Sequence, residues 1–150
     1  MQKVTLDDLE NDPFHADVTK HATEPLNLNS LALNYFELEP GDELSGGLHT
    51  HMNQEEVFYV VEGTATFHTK GDEMTVEAGE IVRFAPGEYQ SGKNEGEQRV
   101  RVIALGAPQD AGETRVAAPC QECGADYHVA EAGDDGISLS CPDCGNEPEQ

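Results

Sequence analysis

Between Leu26 and Leu105 short apolar runs alternate with turns marked by Gly, Pro or acidic residues. They recur at intervals of roughly 8–12 residues, and this rhythm constrains the fold more than any other feature. Leu26, Leu28, Leu31, Leu33 and Tyr35 follow a period near two, and Pro40-Gly41-Asp42 closes the run. Val57-Phe58-Tyr59-Val60-Val61 stops at Gly63, and Ala65-Thr66-Phe67-His68 turns at Lys70-Gly71-Asp72 into Met74-Thr75-Val76. Glu77-Ala78-Gly79 leads to Ile81-Val82-Arg83-Phe84, which Ala85-Pro86-Gly87 ends. Val100-Arg101-Val102-Ile103-Ala104-Leu105 is the last clear strand. Such a series predicts an all-β antiparallel sandwich or barrel. Residues 1–25 read as polar and irregular, apart from a short helix over 6–10 capped by Thr5 and ended by Asn11-Asp12-Pro13.

Charge narrows what this fold can serve. The chain has 150 residues, with 30 Asp plus Glu against 8 Lys plus Arg, for a net charge of -22. The acid is spread along the whole chain rather than gathered in a tail. Such a surface repels nucleic-acid phosphates and anionic membranes, so neither is an expected partner. No apolar run is long enough to span a bilayer as a helix. The N-terminal stretch MQKVTLDDLENDPF carries no apolar signal core, so the expected location is cytoplasmic. A disordered acidic chain has similar charge, but here the apolar alternation persists. The better reading is a folded domain kept soluble in concentrated salt, where a Debye length near 3 Å screens self-repulsion. The pattern resembles that of salt-loving archaea.

Chemistry concentrates first at His49-Thr50-His51, followed by Glu55-Glu56. Residues i and i+2 of a strand share a face, so both imidazoles point one way. A carboxylate on the next strand can return to that face, and two His with one carboxylate leave open positions on a metal. In isolation these residues read more readily as surface groups. The spacing His-x-His-x4-Glu-x6-Gly, carried by His49, His51, Glu56 and Gly63, resembles the first motif of the cupin family. Glu55 fits the shorter gap but then misses the spacing to Gly63. The opening Gly of that motif is displaced, with seven residues between Gly41 and His49 in place of five. Gly79, Gly87 and Asn94 fall in register with the second cupin motif, but Ala85 replaces its Pro and Gln90 its His.

The resemblance covers roughly residues 26–106 and implies a jelly-roll β-barrel. It also implies a divalent ion (Mn, Fe, Ni or Zn) held by His49, His51, Glu56 and Gln90. Gln90 either ligates through its amide oxygen or only hydrogen-bonds in the pocket. Losing an imidazole there favours harder ions such as Mn²⁺ or Fe²⁺. Phe58, Val60, Phe84 and Tyr89 are candidates for the pocket wall, although core packing suits each of them singly. His68 reads as a surface residue, and Arg83 as one that faces solvent or a subunit partner, with a substrate carboxylate as its less favoured role. Glu55 is the one nearby candidate for an extra acid or base.

The second constellation is Cys120-x2-Cys123-x17-Cys141-x2-Cys144, each half followed by Gly. Each half reads as a knuckle bringing two thiolates to one ion, and four thiolates make a closed structural Zn²⁺ site, a zinc ribbon. Its strands are expected at Tyr127-His128-Val129 and Ile137-Ser138-Leu139, joined at Asp134-Asp135-Gly136, with His128 an ordinary strand residue. Paired disulfides would need an oxidising compartment. A rubredoxin-like iron site would leave Tyr127 as the lone aromatic of its core.

The expected organisation is a cupin barrel with an N-terminal extension over 1–107, a linker over 108–116 and the zinc-ribbon module over 117–150. The resemblance admits dioxygenases, decarboxylases and isomerases acting on a small oxygen-bearing substrate. The ion would serve as a Lewis acid or, as Fe²⁺, activate O₂. The rival reading is a non-catalytic sensor that holds a small molecule and signals through the ribbon to a partner protein; a blander one is a scaffold whose site has decayed at Gln90. Cupins commonly pair through their sheets, so a homodimer is the expected assembly.

Overall fold

Where an apolar run alternates, as in Val100–Ala107, it buries every second residue, and twelve strands form in a computed structural model that describes residues 1–133 and 136–148. They are β1 (Val18–His21), β2 (Ala32–Leu38), β3 (His49–His51), β4 (Glu55–Glu62), β5 (Thr64–His68) and β6 (Glu73–Glu77), then β7 (Ile81–Phe84), β8 (Ser91–Lys93), β9 (Val100–Ala107), β10 (Thr114–Val116), β11 (His128–Gly133) and β12 (Gly136–Ser140). The architecture is all-β. The expected N-terminal helix is a single 3₁₀ turn over Leu6–Asp8, and Thr5 makes no side-chain cap bond to it. No helix among the described residues is long and apolar enough to cross a membrane.

One layer has the order β1-β2-β9-β4-β7, and a second has β6-β5-β8. Between them lie Leu38, Phe58, Val60, Phe67, Phe84, Val100 and Val102, all buried. Phe67 packs against Phe58 and Phe84 with ring centroids 5.1 and 5.6 Å apart. Burying side chains of this kind is worth about 1.5–3 kcal/mol each, which makes this cluster the chief source of stability. Gly63 ends β4 with φ +77, and a Cβ there would sit 2.6 Å from the Arg99 carbonyl oxygen, so the motif glycine answers to both conformation and space. Asn94 is buried and donates from Nδ2 to the carbonyls of Leu38 at 3.0 Å and Gln98 at 2.8 Å. That motif position therefore ties the end of β8 to the first layer.

The third sheet runs β12-β11-β10-β3. An isolated bridge between His49 and Gln90 joins it to the β8 side of the barrel, where a second bridge ties Glu43 to Lys93. Thr114–Val116, inside the segment read as a linker, is thus a strand that pairs with β3 on one side and β11 on the other. The reason is local. β3 offers an unpaired edge, and the alternating Thr114-Arg115-Val116 can satisfy its backbone groups. Gln54 fastens the preceding segment, donating from Nε2 to the Pro108 carbonyl at 2.8 Å. The expected ribbon strands fall within β11 and β12, Tyr127 preceding β11. Asp134 and Asp135, placed in the turn between them, lie outside the described residues.

The N-terminal segment is also more ordered than its composition suggests. β1 pairs with β2 along its whole length. Arg99 on the neighbouring loop clamps it, reaching Asp17 at 2.9 Å, Glu37 at 2.5 Å and Glu39. Arg83, Arg101 and Arg115 are ion-paired as well, so the four arginines of this acidic chain all hold carboxylates.

Candidate metal centre

β3 sets His49 and His51 on one face, two residues apart. Glu56 heads an inward row of β4 that continues as Phe58 and Val60, so its carboxylate stands at the open end of the core. Glu55, one residue earlier, points the other way and accepts from Arg83 Nε at 2.6 Å, which removes it as an acid or base at the site. Gln90 arrives through the bridge to His49, with backbone bonds of 2.8 and 3.1 Å running both ways. One ligand atom from each of His49, His51 and Glu56 lies within 4.8 Å of the others.

Hydrogen bonds around these groups orient their free atoms inward. His49 Nδ1 lies 2.9 Å from the Gly47 carbonyl, which only accepts, so the proton sits on Nδ1 and Nε2 presents a lone pair. His51 Nδ1 is held at 2.9 Å by Thr114 Oγ1 of β10, leaving its Nε2 3.6 Å from Glu56 Oε1. Burial pushes the His49 pKa down, against the Gly47 bond and the Glu56 charge, and keeps that imidazole neutral as ligation requires. At Glu56 burial pushes the pKa up, but His51, His49 and Gln90 outweigh it and hold the group ionised, below the usual carboxylate value.

Gln90 supplies the test of fit. Its side chain is buried, its Nε2 donates to Glu56 Oε2 at 2.8 Å, and its Oε1 has no hydrogen-bond partner. A buried orphan oxygen costs about 1–3 kcal/mol. Turning the amide over exchanges the two ends and brings the oxygen to the imidazoles and the carboxylate as a fourth donor. The residues present therefore fit a divalent ion with two nitrogen and two oxygen donors.

Comparison with known proteins agrees with this geometry. Residues 34–106 match the cupin domain family Cupin_2. The barrel has the cupin jelly-roll fold. A 70-residue stretch, 47% of the chain, is 30% identical to the oxalate-binding protein of Thermotoga maritima and spans 56% of that protein. Among solved structures, a sugar phosphate isomerase from Silicibacter pomeroyi superposes with a TM-score of 0.73 at 17% identity, covering 96% of this chain and 95% of that one. A predicted oxalate decarboxylase from Thermotoga maritima gives 0.62 at 20% identity, covering 71% and 99%. These matches support the cupin family.

The wall of the cupin pocket differs from expectation. Phe58, Val60 and Phe84 lie in the core beneath the ligands, and Tyr89 lies at an outer depression with Lys70 Nζ 3.7 Å above its ring. The cavity of about 430 Å³ that contains His49 and His51 is bounded instead by Phe14 and His15 of the N-terminal segment. Its opposite side is Val116 of β10 with Ala130, Ala132, Ile137 and Leu139 of β11 and β12. Alternation in 114–116 was the available signal for β10; nothing in the sequence singled out Phe14 or His15. His68 is bound to Glu95 at 2.7 Å, away from the cavity. His128 is buried in β11, its Nδ1 donating to the Ala118 carbonyl at 2.7 Å.

The four cysteines converge separately. The first cysteine of each pair is buried and the second exposed. Both turns make the same bonds: Cys120 N to Ala125 O and Cys141 N to Asn146 O at 2.8 Å, then Gly124 N to Cys120 O and Gly145 N to Cys141 O at 2.9 Å. Gly124 and Gly145 take φ +80 and +73, the conformation that each knuckle needs. Cys120 and Cys144 sulfurs are 3.7 Å apart, and those of Cys123 and Cys141 3.5 Å. Sulfurs at the corners of a tetrahedron with Zn–S near 2.3 Å stand about 3.8 Å apart, so the cluster is compatible with zinc. The Cys120 thiol is lowered by the Cys123 and Glu122 backbone N–H groups against burial. At Cys141 burial acts upward, but the N–H groups of Cys144 and Asp143 prevail and bring it to about 6.

Proposed function

We propose that this protein is a metal-dependent cupin in which His49, His51, Glu56 and Gln90 hold one divalent ion that binds a small oxygen-donor molecule. The observation that carries the reading is the convergence of ligand atoms of His49, His51 and Glu56 on the buried Gln90 amide, whose Nε2 lies 2.8 Å from Glu56 Oε2 and whose Oε1 has no hydrogen-bond partner. When bound, the ion supplies Lewis acidity at the positions the four side chains leave open. The chain's own part is orientation: Gly47 and Thr114 fix the two imidazoles, and the inward row of β4 fixes the carboxylate. Phe14 and the apolar side of the cavity flank the bound molecule, and His15 places one titratable side chain beside it. The names of the similar proteins extend the proposal to reactions of the decarboxylase and isomerase kind. We assign the Cys120, Cys123, Cys141 and Cys144 cluster to a structural zinc ion.

Replacing the amide by imidazole tests the centre. Gln90→His should tighten binding of Zn²⁺ or Ni²⁺ more than of Mn²⁺, measured by competition with a chelator. Unchanged affinities for all of them would place Gln90 outside the ligand set. A second reading, a sensor without turnover, draws on the continuity of β3 with the cysteine sheet, which links the ligand histidines to the ribbon mechanically. Turnover of an oxygen-donor substrate would decide for the enzyme, and ligand-dependent capture of a partner without turnover for the sensor.

A further inference from the structure

Directly opposed residues of antiparallel strands project from one face. Register therefore aligns His51, Thr114, Ala130 and Leu139 in a single row across β3, β10, β11 and β12. Ala132 and Ile137 form a second opposed pair on the same face, farther from the imidazoles. All of these line the cavity. With strands about 4.8 Å apart, the row runs roughly 14 Å from a ligand histidine to Leu139. Beyond Thr114 it is aliphatic, and Phe14 stands at the cavity on the N-terminal side.

Charge and size both argue against the smallest or most anionic ligands. Among the described residues lining the cavity there is no Lys or Arg, and His15 is the one titratable group besides His49 and His51. A second carboxylate or a phosphate would lie against alanine and leucine with no cation to replace its hydration. Oxalate, held at the ion, would leave most of the 430 Å³ empty. That volume is within the roughly 300–1,000 Å³ usual for sites that take larger molecules.

We infer that the site takes a monoanionic chelating acid, of the 2-oxo or 2-hydroxy carboxylate class, whose branched aliphatic or aromatic tail lies along the Ala130–Leu139 row. The carboxylate and its neighbouring oxygen occupy the open positions of the ion, and the strands of the cysteine module select the tail. This rests on the metal site proposed above and adds a specificity wall that the barrel itself does not contain.

The test uses the full chain loaded with Mn²⁺ and calorimetric titration with 4-methyl-2-oxopentanoate, oxalate and glucose 6-phosphate. The branched acid should bind at least about ten-fold tighter than oxalate, since each buried methylene contributes a factor of that order. Ala130→Phe fills the row. It should abolish this preference while oxalate binding and the content of both metals persist. Leu139→Lys, at the half-exposed end of the row, should weaken the branched acid and strengthen 2-oxoglutarate, whose second carboxylate would then find a cation. Tighter binding of oxalate or sugar phosphate by the unmodified protein would overturn the inference. So would equal loss of oxalate and branched acid in Ala130→Phe, or a second copy of the chain covering the cavity in solution with no probe bound. A protein that holds no ion at His49 and His51 refutes the metal site instead, which the metal content reports separately.

Discussion

The two candidate centres differ in how their ligands are brought together. In the cysteine cluster two short turns with matching backbone bonds each deliver two sulfurs, so the site is assembled locally and its four sulfurs are compatible with a tetrahedral ion. In the barrel the donors come from β3, β4 and the residue before β8, and only the folded layers unite them. The barrel centre also faces a cavity, whereas the sulfurs face one another. A closed, local site suits stability; an open one built by the whole fold suits exchange of a bound molecule. β10 belongs to both arrangements, because Thr114 orients His51 while its strand pairs with β11.

The largest effect is expected at the cysteines. Cys141→Ser removes a buried sulfur from the proposed zinc site, and a structural zinc ion is worth on the order of 10 kcal/mol to a small module. One metal equivalent should be lost, and amides of β11 and β12 should exchange freely while those of β4 and β9 stay protected. Hydrogen exchange with mass spectrometry reads this directly. If β4 and β9 lose protection as well, the two regions are one cooperative unit and the contrast fails.

His49→Ala should do the reverse. The barrel ion should bind at least about 100-fold more weakly, beyond the loss usual for an outer hydrogen-bond partner. The zinc content of the cysteine cluster and the melting temperature of the metal-free protein should hardly move, since His49 lies outside the phenylalanine core. Loss of both metals would show that the ligand strand is needed for the cysteine sheet to form.

A smaller effect probes the element that the regions share. Thr114→Val keeps the β-branched shape on β10 but deletes the hydroxyl beside His51 Nδ1. Affinity of the barrel ion should fall by about 10–100-fold, with the cysteine metal retained. An unchanged affinity would mean that the imidazole is oriented by its backbone alone.

These contrasts also show which parts of the molecule the amino-acid order exposes. Strand rhythm and the register of His49, His51, Glu56 and Gln90 were readable because period and spacing are local properties that the barrel converts into shared faces. The choice of Glu56 over Glu55 followed from spacing, and the structure explains it by alternation, Glu55 turning outward to Arg83. Depth along a strand is not written in alternation. Phe58 and Val60 share the face of Glu56 as expected, yet they lie below it in the core rather than around the cavity. Pairing between distant short segments was equally hidden. Three residues of β10 sit among Gly, Pro and acid, and the approach to β1 is held at Asp17 by an arginine far along the chain. Composition therefore read the first as linker and the second as irregular, and the true cavity wall was missed with them.

The smallest predicted effect serves as a control placed on the barrel layer and away from both centres. Burial, then the hydrogen bond and charge of Glu37, push the Tyr35 phenol up to about 12. Burial would raise Glu37 too, but Tyr35, Arg99 and Arg101 overcome it and hold that carboxyl below its ordinary value. The raised phenol stabilises the fold below its unfolded pKa near 10, and that contribution fades as pH climbs toward 12. The depressed carboxylate contributes above an unfolded pKa near 4.3, and its contribution is lost as pH falls through the lower folded value. In an ultraviolet titration Tyr35 should ionise only near pH 12, and Glu37→Gln should bring it part of the way back while flattening the acid limb of a stability–pH curve. Metal affinity at neutral pH should not change in this variant. If it does, the outer ion-pair network reaches the ligands through β2 and β9, and the barrel centre is less insulated from its surface than the cysteine centre.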